Sequence, residues 1–441
     1  HVTGSDQAVY PPMSLLIEEM GIKISEGYSP DNLHPRPDLA IVGNVIRAQN
    51  PEAQALVSER IPYTSFPGAL RNYFLHDKVR IVVTGTHGKT TLTSMISWIL
   101  YDQGLEPGFF VGGIPGNFGF SSRLGNGRFF VLEGDEYDTA YFDKNPKFLQ
   151  YEPDVAVITS IEFDHADIYR DVEQIKGQFS KMVNMMSAGG TVIACSDYTP
   201  ILDITHGCKP EVQYYGLGHD PEWSLSELND SDNGLFMKIQ RHGQTLCQGT
   251  IPVFGVHNAF NTLAAVATVS KLGISADRAL KSMESFKGVQ RRQQVYELSN
   301  AITLIDDFAH HPTAVKLTCE AVKSRFPGRR LVSIFEPRTN TSRRSIFQKD
   351  YVTSFLSSDL VILRNAPFRN GDDESDMFDS EKLACDLGMA GKNACSFADA
   401  GEIFQHLMVT IRDNDVLLLM SNGNFEGLRS NLLNGLNGVK Q

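Results

Sequence analysis

The sequence predicts an α/β protein of three domains built on mostly parallel sheets. Three observations carry that expectation. The chain has 441 residues, too many for one core when a domain holds roughly 100–200 residues. Short apolar runs alternate with helical segments over most of its length, the rhythm of βαβ units. A glycine-rich loop, Gly85–Thr91, joins an apolar strand to an amphipathic helix, which is the setting of a phosphate-binding loop.

The first block, residues 1–77, alternates short apolar stretches such as Leu39–Val42 and Ser14–Met20 with Pro, Gly and Asn. Pro11, Pro12, Pro30, Pro35, Pro37, Pro51, Pro62 and Pro67 forbid long helices there, so a small α/β unit is expected. The chain opens without Met and inside strand-like sequence, so residues ahead of it are expected to be missing.

The second block, residues 78–294, begins with the strand Val79–Thr84. After the loop, Leu92, Met95, Ile96, Ile99 and Leu100 recur at helical spacing and form one buried face, closed by Gly104. Strands follow at Phe129–Leu132 and Val155–Thr159, apolar throughout, as a sheet covered on both faces requires. Residues Gly207–Ile251 are more polar and alternate, an antiparallel excursion, and a helix spans His257–Leu272. The third block, residues 295–441, sets strands at Ile302–Ile305, Leu331–Phe335, Leu360–Leu363 and Val416–Met420 between helices such as Thr313–Arg325 and Ala400–Arg412. The acidic stretch Asp372–Asp379 is read as a solvated loop.

Composition removes several functions. The net charge is −12, from 40 basic and 52 acidic residues, which argues against a broad nucleic-acid footprint. No apolar run reaches the roughly 18 residues of a membrane span, and HVTGSD has no basic and apolar secretory leader. Cysteines 195, 208, 247, 319, 385 and 395 show no C-x-x-C or metal-ligand spacing. Scattered free thiols in a reducing compartment, and hence a cytoplasmic location, are expected.

The loop VVTGTHGKTT carries the clearest chemistry. Its glycines let backbone N–H groups close on phosphate oxygens, while Lys89 reaches the terminal phosphates and Thr90 offers a hydroxyl to Mg²⁺. Val83 replaces the usual first glycine, so the motif is a shortened variant. Two acidic groups follow strands of the same block: Glu133 with Asp135, Glu136 and Asp138, and Glu162 with Asp164, His165 and Asp167. Ligands of open parallel sheets sit outside the carboxyl ends of the strands, so Glu133 and His165 are expected to converge with Thr90 on Mg²⁺.

GTHGKTT, LEGDEYD, SIEFDHADIY, VHNAFNTLAA, GVQRR and IDDFAHHPTAV, in this order, resemble the Mur ligase family over nearly the whole chain. The resemblance implies a Rossmann-like UDP-binding domain, a central P-loop ATPase domain and a C-terminal Rossmann-like domain that closes over the site. It implies an ADP-forming ligase that makes an amide bond in peptidoglycan metabolism, with ATP as substrate and Mg²⁺ as cofactor. EPRTNT and LLLMSNGNFEG further resemble the branch that joins a murein tripeptide to UDP-N-acetylmuramate. The alanine-adding branch shows H-R-(Y/F)-T-R-T-R where this chain has Arg338–Arg344, a departure that favours a larger acceptor.

Carried over, the resemblance places Gly85, Thr86, His87, Gly88, Lys89, Thr90 and Thr91 on the ATP phosphates. Thr90, Glu133 and His165 become metal ligands, and Lys89, Glu133 and His165 the catalytic set. His257, Asn258 and Asn261 would meet adenine and its neighbours, with Arg292 and Asp307 reaching the nucleotide from the junction and the third domain. His310, His311, Arg338, Asn340 and Thr341 are acceptor-site candidates. Ser5 and Asp6, in a segment resembling a strand end of the UDP domain, and Asn44 and Asn117 are the UDP-sugar candidates. Blander readings stand beside these. His257 and Asn258 could cap the helix that follows, and His310-His311-Pro312 could be a strand-to-helix turn. Alanine-adding ligase, P-loop kinase and non-catalytic nucleotide-binding module remain alternatives for the whole chain.

Overall fold

The computed structural model describes residues 1–9, 13–231, 233–368 and 374–436. The chain forms two compact units, His1–Lys78 with Asp135–Glu152, and Val79–Gly134 with Pro153–Gln441. In the first unit Thr3–Asp6 pairs in parallel with Lys23–Glu26, and Ala40–Val42 with Tyr63–Ser65. Its helices stay short, as the prolines dictate: Met13–Glu19, Pro51–Ser58 and Phe66–Phe74. Pro51 opens its helix where no N–H partner is needed, and the Asn50 side chain accepts from the N–H groups of Glu52 and Ala53. Val42, Leu56 and Ile61 form the small core. Pro11 and Pro12 lie outside the described residues.

The segment Asp135–Glu152 follows the strand Phe129–Glu133 in sequence but groups with the first unit. It folds as a hairpin, Asp138–Ala140 against Asp143–Pro146, followed by the helix Lys147–Gln150. Asp135 and Asp138 belong here, paired with Lys147 and Lys144 at 2.8 Å each.

The second unit holds two sheets. The ten-stranded sheet runs 244–251, 234–241, 223–231, 211–215, 191–195, 155–158, 79–84, 129–133, 108–110, 122–123. Its middle is parallel, and the polar excursion supplies antiparallel strands at one edge, as the alternating sequence predicts. Ile81, Val82, Val83, Val131, Leu132, Ala156, Val157 and Ile158 are fully buried, because the helices Lys89–Asp102 and Val256–Lys271 pack on this sheet. Register sets the site: Val83 lies beside Glu133 and Thr84 beside Ile158. The phosphate loop thus emerges between two other strand ends.

The six-stranded sheet runs 294–297, 303–307, 416–420, 331–335, 360–364, 393–397, antiparallel only at its first pair. Of the acidic stretch, Asp372 and Asp373 lie outside the described residues. The remainder is more structured than a solvated loop. Glu374–Asp376 is a short 3₁₀ turn, and Asp379 accepts from the Lys382 N–H as the cap of Ser380–Met389.

Candidate active site

Two glycines shape the phosphate loop. Gly85 has φ 125° and Gly88 φ 79°, conformations that L residues avoid. A Cβ on Gly85 would stand 2.8 Å from the Ser160 nitrogen, and one on Gly88 2.6 Å from Asn261 Oδ1. The loop is moulded from below by the neighbouring strand end. The Thr86 N–H donates to Ser160 O at 3.0 Å, the His87 N–H to Ser160 Oγ at 2.9 Å, and the Thr159 hydroxyl to His87 O at 2.6 Å. Lys89 Nζ folds over the turn and donates to Gly85 O at 2.7 Å.

Above the first turn of the helix, three predicted residues meet. The Thr90 hydroxyl donates to Glu133 Oε1 at 2.8 Å and accepts from Arg292 Nη2 at 3.1 Å. The Gly112 N–H fixes the other carboxylate oxygen of Glu133 at 2.6 Å. Arg292 lies over the Phe308 ring, 4.3 Å from its centroid, a stacked cation near an apolar wall. Asp307 faces this arginine and accepts from the N–H groups of Gln293 and Ala309 at 2.8 Å each, while burial pushes its carboxyl up.

The helix Val256–Lys271 is capped by Gly255, so His257 and Asn258 are inside its first turn and are not its cap. Asn258 Nδ2 donates to Phe254 O at 3.0 Å and to Gln293 Oε1 at 2.8 Å. His257 Nδ1 and Gln293 Nε2 are buried without a hydrogen-bond partner. Orphaned polar atoms beside a phosphate loop fit a ligand that supplies the missing partner.

The loop after Val155–Ile158 is gripped from the third block. Thr313 Oγ1 donates to Glu162 Oε2 at 2.7 Å, His311 Nε2 pairs with Phe163 O at 3.1 Å, and the Ala166 N–H donates to Thr341 Oγ1 at 3.1 Å. Asn340 Nδ2 donates to Asp167 Oδ2 at 2.8 Å, and His310 Nε2 lies 3.9 Å from Asp164 Oδ2. His165 stands at φ 55°, its N–H on the Asp164 carboxylate at 2.7 Å. Burial opposes ionisation of Glu162, but hydrogen bonds from His87 and Thr313 outweigh it and hold the carboxyl at about 2.

Burial also presses His257 and His311 down to about 4 and lowers His310. Their ordinary value is 6.5. Between those values the unfolded chain takes up protons that the native state refuses, so stability falls as pH drops. The urea midpoint is therefore expected to decline from pH about 6.5 toward about 4, and His257→Asn to flatten that slope. A midpoint that holds steady or rises on acidification through this window contradicts the arrangement.

Family models match three stretches: the Mur ligase family catalytic domain at 1–77, the Mur ligase middle domain at 83–269, and the Mur ligase glutamate ligase domain at 291–423. The chain belongs to the Mur ligase family. It is 36% identical over 444 residues to the UDP-N-acetylmuramate–L-alanyl-γ-D-glutamyl-meso-2,6-diaminoheptandioate ligase of Haemophilus influenzae, covering 99% of this chain and 94% of that protein. The enzyme of the same name from Escherichia coli is 36% identical over 440 residues, covering 99% and 93%. A crystal structure of a murein peptide ligase from Psychrobacter arcticus matches at 30% identity with a TM-score of 0.71, over 100% of this chain and 94% of that one.

Within this Mur ligase the remaining candidates fall in different settings. Both ring nitrogens of His311 are occupied, Nε2 by Phe163 O and Nδ1 by the Thr313 N–H at 3.3 Å. It also caps the helix Pro312–Arg325. Asn340 and Thr341 are likewise engaged with the 166–167 loop. Arg338 lies flat against Gly423, where any Cβ would overlap its guanidinium. Asn117 bridges the Ser285 carbonyl and the Lys287 N–H at 2.9 and 2.8 Å, within the second unit. In the first unit the Ser5 hydroxyl donates to Glu52 at 2.5 Å, Asp6 accepts from the Ala8 N–H, and Asn44 is exposed in a turn.

Sequence reasoning did not assign roles to Glu162, Thr313, Gly112, Gly423 or Ser421. Arg291 donates to the Ser421 and Gly423 carbonyls at 2.7 and 2.6 Å. The run SNGN, quoted only for its resemblance, was the available signal for that backbone cradle.

Proposed function

We propose that this chain is an ATP-dependent, ADP-forming ligase that joins L-alanyl-γ-D-glutamyl-meso-diaminopimelate to the carboxylate of UDP-N-acetylmuramate. The observation that carries the reading is the assembly of Lys89, Thr90, Glu133 and Arg292 at the head of the phosphate-loop helix. The names of relatives 36% identical over nearly the full chain support the tripeptide as acceptor. A tripeptide taken up whole belongs to reuse of existing cell-wall fragments rather than to residue-by-residue synthesis. The six free cysteines agree with a cytoplasmic location, and no helix among the described residues is long and apolar enough to cross a membrane.

A carboxylate does not react with an amine unaided. Attack of the muramyl carboxylate on the terminal phosphorus of ATP gives an acyl phosphate and releases ADP. The peptide amine then adds to the acyl carbon, and the tetrahedral adduct expels phosphate. Both substrates of the first step are anions, so charge neutralisation and alignment dominate. Loop N–H groups, the dipole of Lys89–Asp102 and the Lys89 ammonium supply positive charge to the phosphates. Arg292 adds a cation from the domain junction.

Magnesium fits this donor set, because Thr90 and Glu133 offer hard oxygen ligands side by side, and His165 is proposed as a further ligand. When bound, the ion screens the phosphate charge and sharpens the electrophile. Arg338, with its guanidinium seated on Gly423, is the proposed anchor for an acceptor carboxylate.

An acceptor panel tests the reading. With UDP-N-acetylmuramate and MgATP present, phosphate release is expected with the tripeptide and not with alanine. Turnover with alanine alone assigns the chain to the alanine-adding branch instead, and a stable phosphorylated product makes it a kinase.

A further inference from the structure

One side chain touches both the phosphate loop and the third block without belonging to the catalytic set. Glu162 binds the loop through backbone and side chain, and its carbonyl lies 3.4 Å from Thr86 Oγ1. Its N–H donates to Thr86 Oγ1 at 2.9 Å, and its carboxylate takes His87 Nε2 at 3.1 Å. The same carboxylate oxygen accepts the Thr313 hydroxyl at 2.7 Å, from the first turn of Pro312–Arg325. His311, which caps that helix, packs against His87, with the ring centroids 4.8 Å apart and the planes tilted by 49°. His87, Glu162 and His311 also lie close enough together to ligate a metal. Several of their atoms are already taken, however: Glu162 Oε2 has two hydrogen-bond donors, and Phe163 O and the Thr313 N–H occupy the ring nitrogens of His311. Glu162 with His87 and Thr313 forms a hydrogen-bonded bridge between the loop and the helix.

We infer that Glu162 is a positioning residue that couples the shape of the phosphate loop to docking of the third block, with Thr313 as its contact on that block. The third block brings Asp307 to the nucleotide side of the site, facing Arg292. A nucleotide that gains from this docking must bind the docked state better, so a weakened dock weakens nucleotide binding by linkage. The Thr313 hydroxyl is the cleanest point of attack, because it touches the bridge and no part of the proposed catalytic set.

The inference rests on the nucleotide-binding part of the proposed function and on no particular acceptor. Its test is calorimetric titration of the full chain with Mg²⁺ and a non-hydrolysable ATP analogue. Thr313→Val should weaken binding about tenfold, the scale of one hydrogen bond to a charged acceptor. Thr313→Ser, which restores the hydroxyl, should return close to the original affinity. Glu162→Gln should also weaken binding, and adding Thr313→Val to it should cost much less than it does in the parent chain. Full affinity in Thr313→Val overturns the inference. So does a Thr313→Ser variant as weak as Thr313→Val, since that would be a packing effect. If the unaltered chain fails to bind the analogue, the phosphate-loop reading itself has failed, a result distinct from failure in the variants alone.

Discussion

Lys89→Ala is expected to lower kcat/KM about a hundred- to a thousandfold while leaving the thermal unfolding midpoint nearly unchanged. The side chain lies at the head of the helix and donates to the carbonyl of Gly85, within the same turn. Alanine is the best helix former for the position it would occupy. Activity and stability therefore separate: the ammonium serves the phosphates, and the fold does not need it. Steady-state kinetics and a thermal melt on the same preparation check both halves. An inactive variant that melts well below the parent would show that Lys89 supports the fold instead.

Glu133→Gln should be of similar size, for a different reason. Both carboxylate oxygens accept hydrogen bonds, from Thr90 at 2.8 Å and from the Gly112 N–H at 2.6 Å. An amide places an N–H₂ against one of these donors and removes the negative charge that a divalent cation needs. Loss of about a hundredfold or more in kcat is expected, and the apparent Mg²⁺ requirement should rise. Titrating activity against Mg²⁺ separates this from Lys89→Ala, in which the Mg²⁺ requirement should hold. An unchanged Mg²⁺ requirement in Glu133→Gln would remove this residue from the metal site.

Much of the fold was legible because burial on both faces leaves an unmistakable mark. The strands Val79–Thr84, Leu331–Phe335 and Val416–Met420 have the bounds that their apolar runs predict. The phosphate loop was legible too, since glycine, lysine and threonine between a strand and a helix admit few other uses. Residues 135–152 were harder, for their partners lie far upstream, in His1–Lys78, and no local periodicity records that. The histidines were harder still. His311 and Asn340 have the chemistry of ligand contacts, and only the tertiary structure reveals their hydrogen bonds to Phe163 and Asp167. Residue type tells what a side chain can donate or accept, and the fold decides which neighbour takes it.

The central claim is that this phosphate loop makes a carboxylate reactive toward an amine. Following a heavy-oxygen label from the muramyl carboxylate tests it most directly. If the carboxylate attacks phosphorus, one labelled oxygen must appear in the phosphate released during tripeptide turnover, and the other must remain in the new amide. Labelled amide with wholly unlabelled phosphate would contradict the account, because the carboxylate would then never have been bonded to the phosphoryl group.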